Sequence, residues 1–146
     1  MEKVLVKVVK EDGVTLPEYQ TIGSAGMDVR ANIKKEIELQ PLDRVLIPTG
    51  LKFGIPDGYE VQVRPRSGLA KKHGITVLNT PGTLDCDYVG EIGVILINLS
   101  RESYFIQPEE RIAQLILTPV VQAEFEEVKS LEQTERGDGG FGHTGK

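Results

Sequence analysis

The sequence predicts an all-β fold, a distorted jelly-roll sandwich or barrel with one short helix and a flexible, glycine-rich C-terminal tail. Three observations lead there. Apolar residues alternate or cluster over strand-sized runs, turn residues separate those runs at the spacing of a sandwich or barrel, and a helical repeat is almost absent.

Residues 4–9, 35–39, 44–47, 51–53, 59–63, 75–78, 91–99, 104–106, 111–117 and 123–128 each hold such a strand-like run. Gly23, Pro41, Pro48-Thr49-Gly50, Pro56-Asp57-Gly58, Pro81-Gly82 and Pro108 punctuate them with the restricted or permissive φ that turns require. The exception is 67–74, where Ser67 reads as a helix cap, Lys71, Lys72 and His73 as a cationic last turn, and Gly74 as the stop. A short helix is expected there, its first N–H groups turned toward whatever lies ahead of Ser67, a natural place for a phosphate. From about Thr134 the chain is too rich in glycine to order itself. The expected organisation is therefore one β domain over 1–133 and a mobile tail over 134–146.

Bulk properties exclude several classes of function. A length of 146 residues suffices for one core without disulfides, and the single cysteine, Cys86, has no internal partner. No window nears the roughly 18 consecutive apolar residues of a membrane helix. The opening residues 1–13 carry acidic side chains where a signal peptide needs an apolar run. A soluble, cytoplasmic protein without a membrane partner is expected. The net charge of −5 opposes general nucleic-acid binding, which needs clustered cations to release counterions. One phosphorylated small molecule is still compatible with it, held by a local group such as Arg64, Arg66, Lys71 and Lys72.

Three segments could carry chemistry. Pro65-Arg66-Ser67-Gly68-Leu69-Ala70 reads either as a capped surface turn or as a phosphate site, in which Arg66, Ser67 and the N–H of Gly68 combine charge with helix-end donors. Residues 79–91 gather Asp85, Asp87 and Tyr88 around a hairpin. Asp and Gly serve hairpins for turn geometry alone, but a carboxylate held on a rigid hairpin can also take the proton of a water attacking phosphorus. In the tail, Gly140 to Lys146 matches the GxxxxGK of a P-loop, yet no strand precedes it and no Ser or Thr follows, so that reading fails. Arg136-Gly137-Asp138 spells an adhesion tripeptide, which has no purpose in a protein that is not exported. A disordered end without a role is the ordinary reading of such a tail, but Phe141 stands alone among glycines. An aromatic so placed can stack on a base while glycine N–H groups wrap phosphates.

Together with two further segments, these stretches are similar to the five ordered motifs of the dUTPase family. Ser24-Ala25-Gly26-Met27-Asp28 resembles the first, RPRSGLA at 64–70 the second, and GTLDCDYVGEI at 82–92 the third. Glu110-Arg111-Ile112-Ala113-Gln114-Leu115 resembles the fourth and RGDGGFGHTG at 136–145 the fifth, so the likeness spans nearly the whole chain. The resemblance implies magnesium-assisted hydrolysis of dUTP to dUMP and pyrophosphate by attack of water on the α-phosphate. That reaction removes dUTP and supplies dUMP for thymidylate synthesis. It implies Mg2+ bound through triphosphate oxygens and water, without direct protein ligands, and a homotrimer with shared active sites.

The resemblance also implies roles residue by residue. Asp85 matches the carboxylate that activates the attacking water. Asn79, with backbone groups of Thr83 and Leu84, matches the hairpin that reads uracil, and Tyr88 lies under the deoxyribose. Arg66, Ser67 and Gly68 match the phosphate-binding turn, and Asp28 and Gln114 match residues that order the phosphate and metal-water network. Phe141 would cover the uracil while Arg136, Gly142, His143 and Thr144 close over the phosphates; His143 stands where the family often has serine. Two rival readings differ in outcome. A dCTP deaminase shares the fold and would release ammonia, but its third motif has a Pro-Gly element where this chain has Asp87-Tyr88. A non-catalytic trimeric sandwich would bind nucleotide or a partner protein, and would not need Asp85, Gln114 and Phe141 together.

Overall fold

A computed structural model describes residues 1–145. Along the described residues run β1 (Lys7–Lys10), β2 (Met27–Arg30), β3 (Ile37–Leu39), β4 (Arg44–Pro48), β5 (Leu51–Gly54) and β6 (Tyr59–Arg64). After the helix α1 (Ser67–His73) come β7 (Ile75–Val77), β8 (Gly82–Leu84), β9 (Gly93–Asn98), β10 (Tyr104–Ile106) and β11 (Arg111–Pro119). The strands pair antiparallel in a four-stranded sheet ordered β2-β11-β6-β8, a three-stranded sheet β4-β9-β7, and the pairs β1-β5 and β10-β3. No sheet closes on itself among the described residues, so the fold is an open, distorted jelly roll rather than a barrel.

Alternation decides which side chains enter the core. In β6, Val61 and Val63 are buried while Glu60, Gln62 and Arg64 face outward and hydrogen-bond along the strand. In β9, Val94, Leu96 and Asn98 point inward. Each fully buried Val, Leu or Ile contributes about 1.5–3 kcal/mol relative to exposure. Asn98 is buried without cost because its amide is satisfied: Nδ2 donates to the carbonyls of Leu39 at 2.8 Å and Glu102 at 2.7 Å, and Oδ1 accepts from the Ser100 N–H at 2.9 Å. β11 breaks the alternation, burying Ile112 and Ala113 in succession, and its register with β2 shifts between Arg111 and Ala113. A bulge of this kind re-aims the side chain beside it, here Arg111.

Three expectations need correction. Ser67 is not the helix cap: it is the first helical residue, and the cap is Arg66, extended at φ −88° and ψ 130°, with no side-chain capping bond. The helix stop at Gly74 is as expected, because its φ of 65° is left-handed and its N–H bonds back to the last turn. Strands β2 and β8 lie in segments too short and too polar to read as strands; they form because β11 and β6 offer them edges to pair with. Conversely, 123–128 alternates but forms no strand, and the described residues after Pro119 pair with no sheet. Pattern alone does not make a strand without a neighbouring edge. None of the described helices is long and apolar enough to cross a membrane.

Candidate active site

Strand register assembles the first half of the site. Asp28 on β2 lies opposite Gln114 on β11, which lies opposite Arg64 on β6, and Arg66 follows where the chain leaves β6 for α1. The Asp28 side chain is only 6% exposed, and a carboxylate taken from water at such a place must be paired. Arg111 Nη1 donates to its Oδ2 at 3.0 Å, and Arg66 Nε approaches its Oδ1 at 3.5 Å. Arg66 Nη1 in turn donates to the Arg111 carbonyl at 3.2 Å. One carboxylate thus holds two guanidinium groups at the mouth of the β6–α1 turn. Gln114 lies close over Gly26, where an added Cβ would come 2.9 Å from its Oε1.

A cleft of about 270 Å³ forms the second half. Val63, Leu84, Leu46, Pro48 and Ile95 give it apolar walls, and Asn79, Thr83, Tyr88 and Glu91 bring polar groups. Asn79 is seated against Gly82, whose α-carbon leaves its Nδ2 just enough room. Tyr88 donates its hydroxyl hydrogen to the Glu91 carbonyl at 2.7 Å. Asp85 stands exposed at the end of β8, and its carbonyl accepts the Tyr88 N–H at 3.1 Å, which closes the turn that carries both residues. The apolar and polar halves together suit a flat ring with hydrogen-bonding edges.

The structure therefore unites Asn79, Thr83, Leu84 and Tyr88 in one cleft, with Asp85 at the end of β8; the hairpin expected over 79–91 does not form, because β8 pairs only with β6 and the residues after it turn away without a strand to return along it. It unites Asp28 with Arg66, and Gln114 with Asp28 by register. Ser67 and Gly68 open the helix as exposed residues beside Arg66. The tail stays apart. Arg136 Nε donates to the Gly139 carbonyl at 2.7 Å, the His143 ring folds over Gly139, and Phe141 is fully exposed. Arg136, Phe141, Gly142, His143 and Thr144 do not line the cleft, and the end of the P-loop-like run, Lys146, lies outside the described residues.

Sequence reasoning gave no role to Arg111, Glu91 or Gly82. The signal for Arg111 was present: a lone Asp in a short strand destined for the interior demands a cation from elsewhere. Behind Arg66, Tyr104 donates its hydroxyl hydrogen to Glu110 Oε1 at 2.8 Å, and its ring packs on His73 with centroids 4.9 Å apart. Burial, then the hydrogen bond to the Glu110 carboxylate and that carboxylate's charge, push the Tyr104 hydroxyl far above the ordinary tyrosine range, against the opposing charge of Arg66.

The dUTPase family model matches residues 12–145. The chain belongs to the dUTPase family. Among the relatives of this dUTPase-family chain is a deoxyuridine 5'-triphosphate nucleotidohydrolase of Fusobacterium nucleatum subsp. nucleatum, 66% identical over 146 residues, all of each chain. Another of the same name, from Chlamydia pneumoniae, is 62% identical over 136 residues, covering 92% of this chain and 94% of its own. Of solved structures, the dUTPase of Staphylococcus bacteriophage 80alpha with dUPNHPP superposes with a TM-score of 0.84 at 26% identity, over 99% of this chain and 100% of that one. The jelly roll is thus the architecture of this dUTPase-family chain and of that phage enzyme alike.

Tyr104→Phe tests the buried pair behind Arg66. Loss of the donor should lower stability by about 2 kcal/mol near neutral pH, since Glu110 Oε2 is already buried without a partner among the described residues. The raised folded-state pKa sets the pH dependence: below the unfolded tyrosine value of about 10 the contribution is complete, and above it the unfolded state ionises first, so wild type loses stability. Denaturant titrations should therefore show the gap between the two proteins narrowing above pH 10. A gap that stays constant to pH 11 would count against the buried pair.

Proposed function

We propose that the chain hydrolyses dUTP to dUMP and pyrophosphate, with uracil in the cleft and the triphosphate running toward the β6–α1 turn. The observation that carries this reading is continuity: Val63 lines the cleft, and the same chain reaches Arg66 three residues later, held by Asp28 beside Arg111. In this reading the nucleoside and phosphate sites form one surface. Asn79 and the backbone of Thr83 and Leu84 read the edge of uracil, and Tyr88 lies under the deoxyribose. Rejection of cytosine by unpaired hydrogen-bond groups is strong, whereas refusing the thymine methyl by loss of fit alone is worth about 1–3 kcal/mol. A wall built of β8 and the turn closed between Asp85 and Tyr88 suits that second task.

In the reaction, the Asp85 carboxylate accepts a proton from water as the water oxygen bonds to the α-phosphorus. The bond from that phosphorus to the bridging oxygen breaks, and pyrophosphate leaves. Arg66, with Ser67 and Gly68, holds phosphate oxygens, and Asp28 and Gln114 order the surrounding water. The donor set fits a magnesium ion that arrives with the nucleotide: Mg2+ favours phosphate oxygens, water and one or two carboxylates, and the exposed Asp85 carboxylate offers an oxygen acceptor to the ion's waters. When bound, it would neutralise charge on the phosphates and leaving group.

Residues 1–133 form the body of the site in this reading, and 134–146 close over it as a mobile tail in a homotrimer with shared sites. Support comes from the exposed apolar side chains Val121, Phe125 and Phe141, which find no cover in their own chain among the described residues. A cytoplasmic setting suits the unbridged Cys86. The product dUMP would then feed thymidylate synthesis.

Incubation with magnesium and, separately, dUTP, dCTP, dTTP and UTP should give pyrophosphate from dUTP alone; ammonia from dCTP would mean a deaminase, and no product a binding protein. Asp85→Asn should bind dUTP but lose at least about 100-fold in kcat, because a carboxamide cannot take the proton; near-normal turnover would remove Asp85 from this role. Truncation before Thr134 should leave a folded oligomer with much lower kcat, since closure and water exclusion are lost. Unchanged kinetics in the truncated protein would deny the tail any part in catalysis.

A further inference from the structure

Gly90 lies between Val89 and Glu91, two residues beyond Tyr88. It is not among the glycines with left-handed φ, so the backbone itself does not demand glycine there. The neighbouring ring does. A Cβ at Gly90 would stand 2.7 Å from Tyr88 Oη, 2.8 Å from Cζ and 3.1 Å from Cε2, inside van der Waals distance along one edge of the phenol. The hydroxyl of that ring is already committed to the Glu91 carbonyl at 2.7 Å. The ring therefore rests on a bare α-carbon and is tied at its far end.

We propose that Gly90 is a specificity-positioning residue: its missing side chain lets the Tyr88 ring lie back against the main chain, where the Glu91 carbonyl holds it as the wall that a 2′-hydroxyl would strike. This rests on the reading of the cleft as the nucleoside site with Tyr88 under the sugar. Any Cβ at position 90 pushes the ring off its seat and breaks its tie to Glu91. Tyr88 is 44% exposed, so the displaced ring has solvent to swing into, and the fold loses little. What is lost is the fixed surface. A flexible ring yields to a ribose where a tied one does not, so Gly90 governs the choice between deoxyribonucleotide and ribonucleotide without touching either.

The experiment compares kcat/KM for dUTP and UTP in wild type, Gly90→Ala, Tyr88→Ala and the double variant, with thermal unfolding of each. Gly90→Ala should unfold close to wild type while its dUTP:UTP ratio falls by about tenfold or more, the scale of losing one well-placed hydrogen bond. In the Tyr88→Ala background the same substitution should change the ratio less than about twofold, because there is no ring left to position. A ratio that survives Gly90→Ala but collapses in Tyr88→Ala overturns the role of Gly90, and so does an equal effect of Gly90→Ala in both backgrounds. A ratio untouched by Tyr88→Ala overturns instead the placement of the sugar on which the proposal stands. Should Gly90→Ala fail to fold, Tyr88→Phe keeps the ring and cuts only its tie; an undiminished ratio in that variant overturns the proposal equally.

Discussion

A carboxylate buried in a strand must be neutralised where it stands, and Asp28 is neutralised by guanidinium groups from two distant parts of the chain. That requirement joins β2, the exit of β6 and the start of β11 at one point. It also sets the orientation of Arg66, which as the extended residue before α1 fixes how the helix leaves the sheet. The net charge of −5 makes the long-range field of the molecule mildly unfavourable to a nucleotide, and the guanidinium groups gathered here act only at short range.

The polar side chains around the cluster and cleft share a second constraint, close approach to main chain. Gln114 lies over Gly26, Asn79 against Gly82 and Tyr88 against Gly90, so three groups with hydrogen-bonding ends rest on backbone that carries no Cβ. A side chain seated this way has few other places to go, which is how a site on short strands can be as rigid as one on long elements. The described residues of the tail make their own contacts locally, in turns.

Much of the fold was legible because its signals are local. The period-two patterns of β6 and β9 and the stop at Gly74 each depend on residues within a few positions of one another. β2 and β8 were not legible, since Met27–Arg30 and Gly82–Leu84 are strands only by virtue of the neighbours they pair with. The same logic run backwards explains 123–128, which has the alternation and lacks the neighbour. In the site, Asn79, Thr83, Leu84, Asp85 and Tyr88 could be grouped in advance because they are close in the chain. Arg111 could not be assigned to Asp28, 83 residues away, although the need for some cation was implicit in the aspartate.

The sequence by itself determined the all-β class, the order of the motifs, membership of a family of uracil-nucleotide hydrolases and the grouping of Asp85 with Tyr88. These rest on residue type and short spacing, which the chain states directly. Only the tertiary structure decided which strands pair, that Arg66 rather than Ser67 caps the helix, that two arginines share one buried carboxylate, and that Gly90 lies beneath a ring. Each of these is a contact of backbone, charge or ring that residue type and spacing do not specify, decided by how the chain packs.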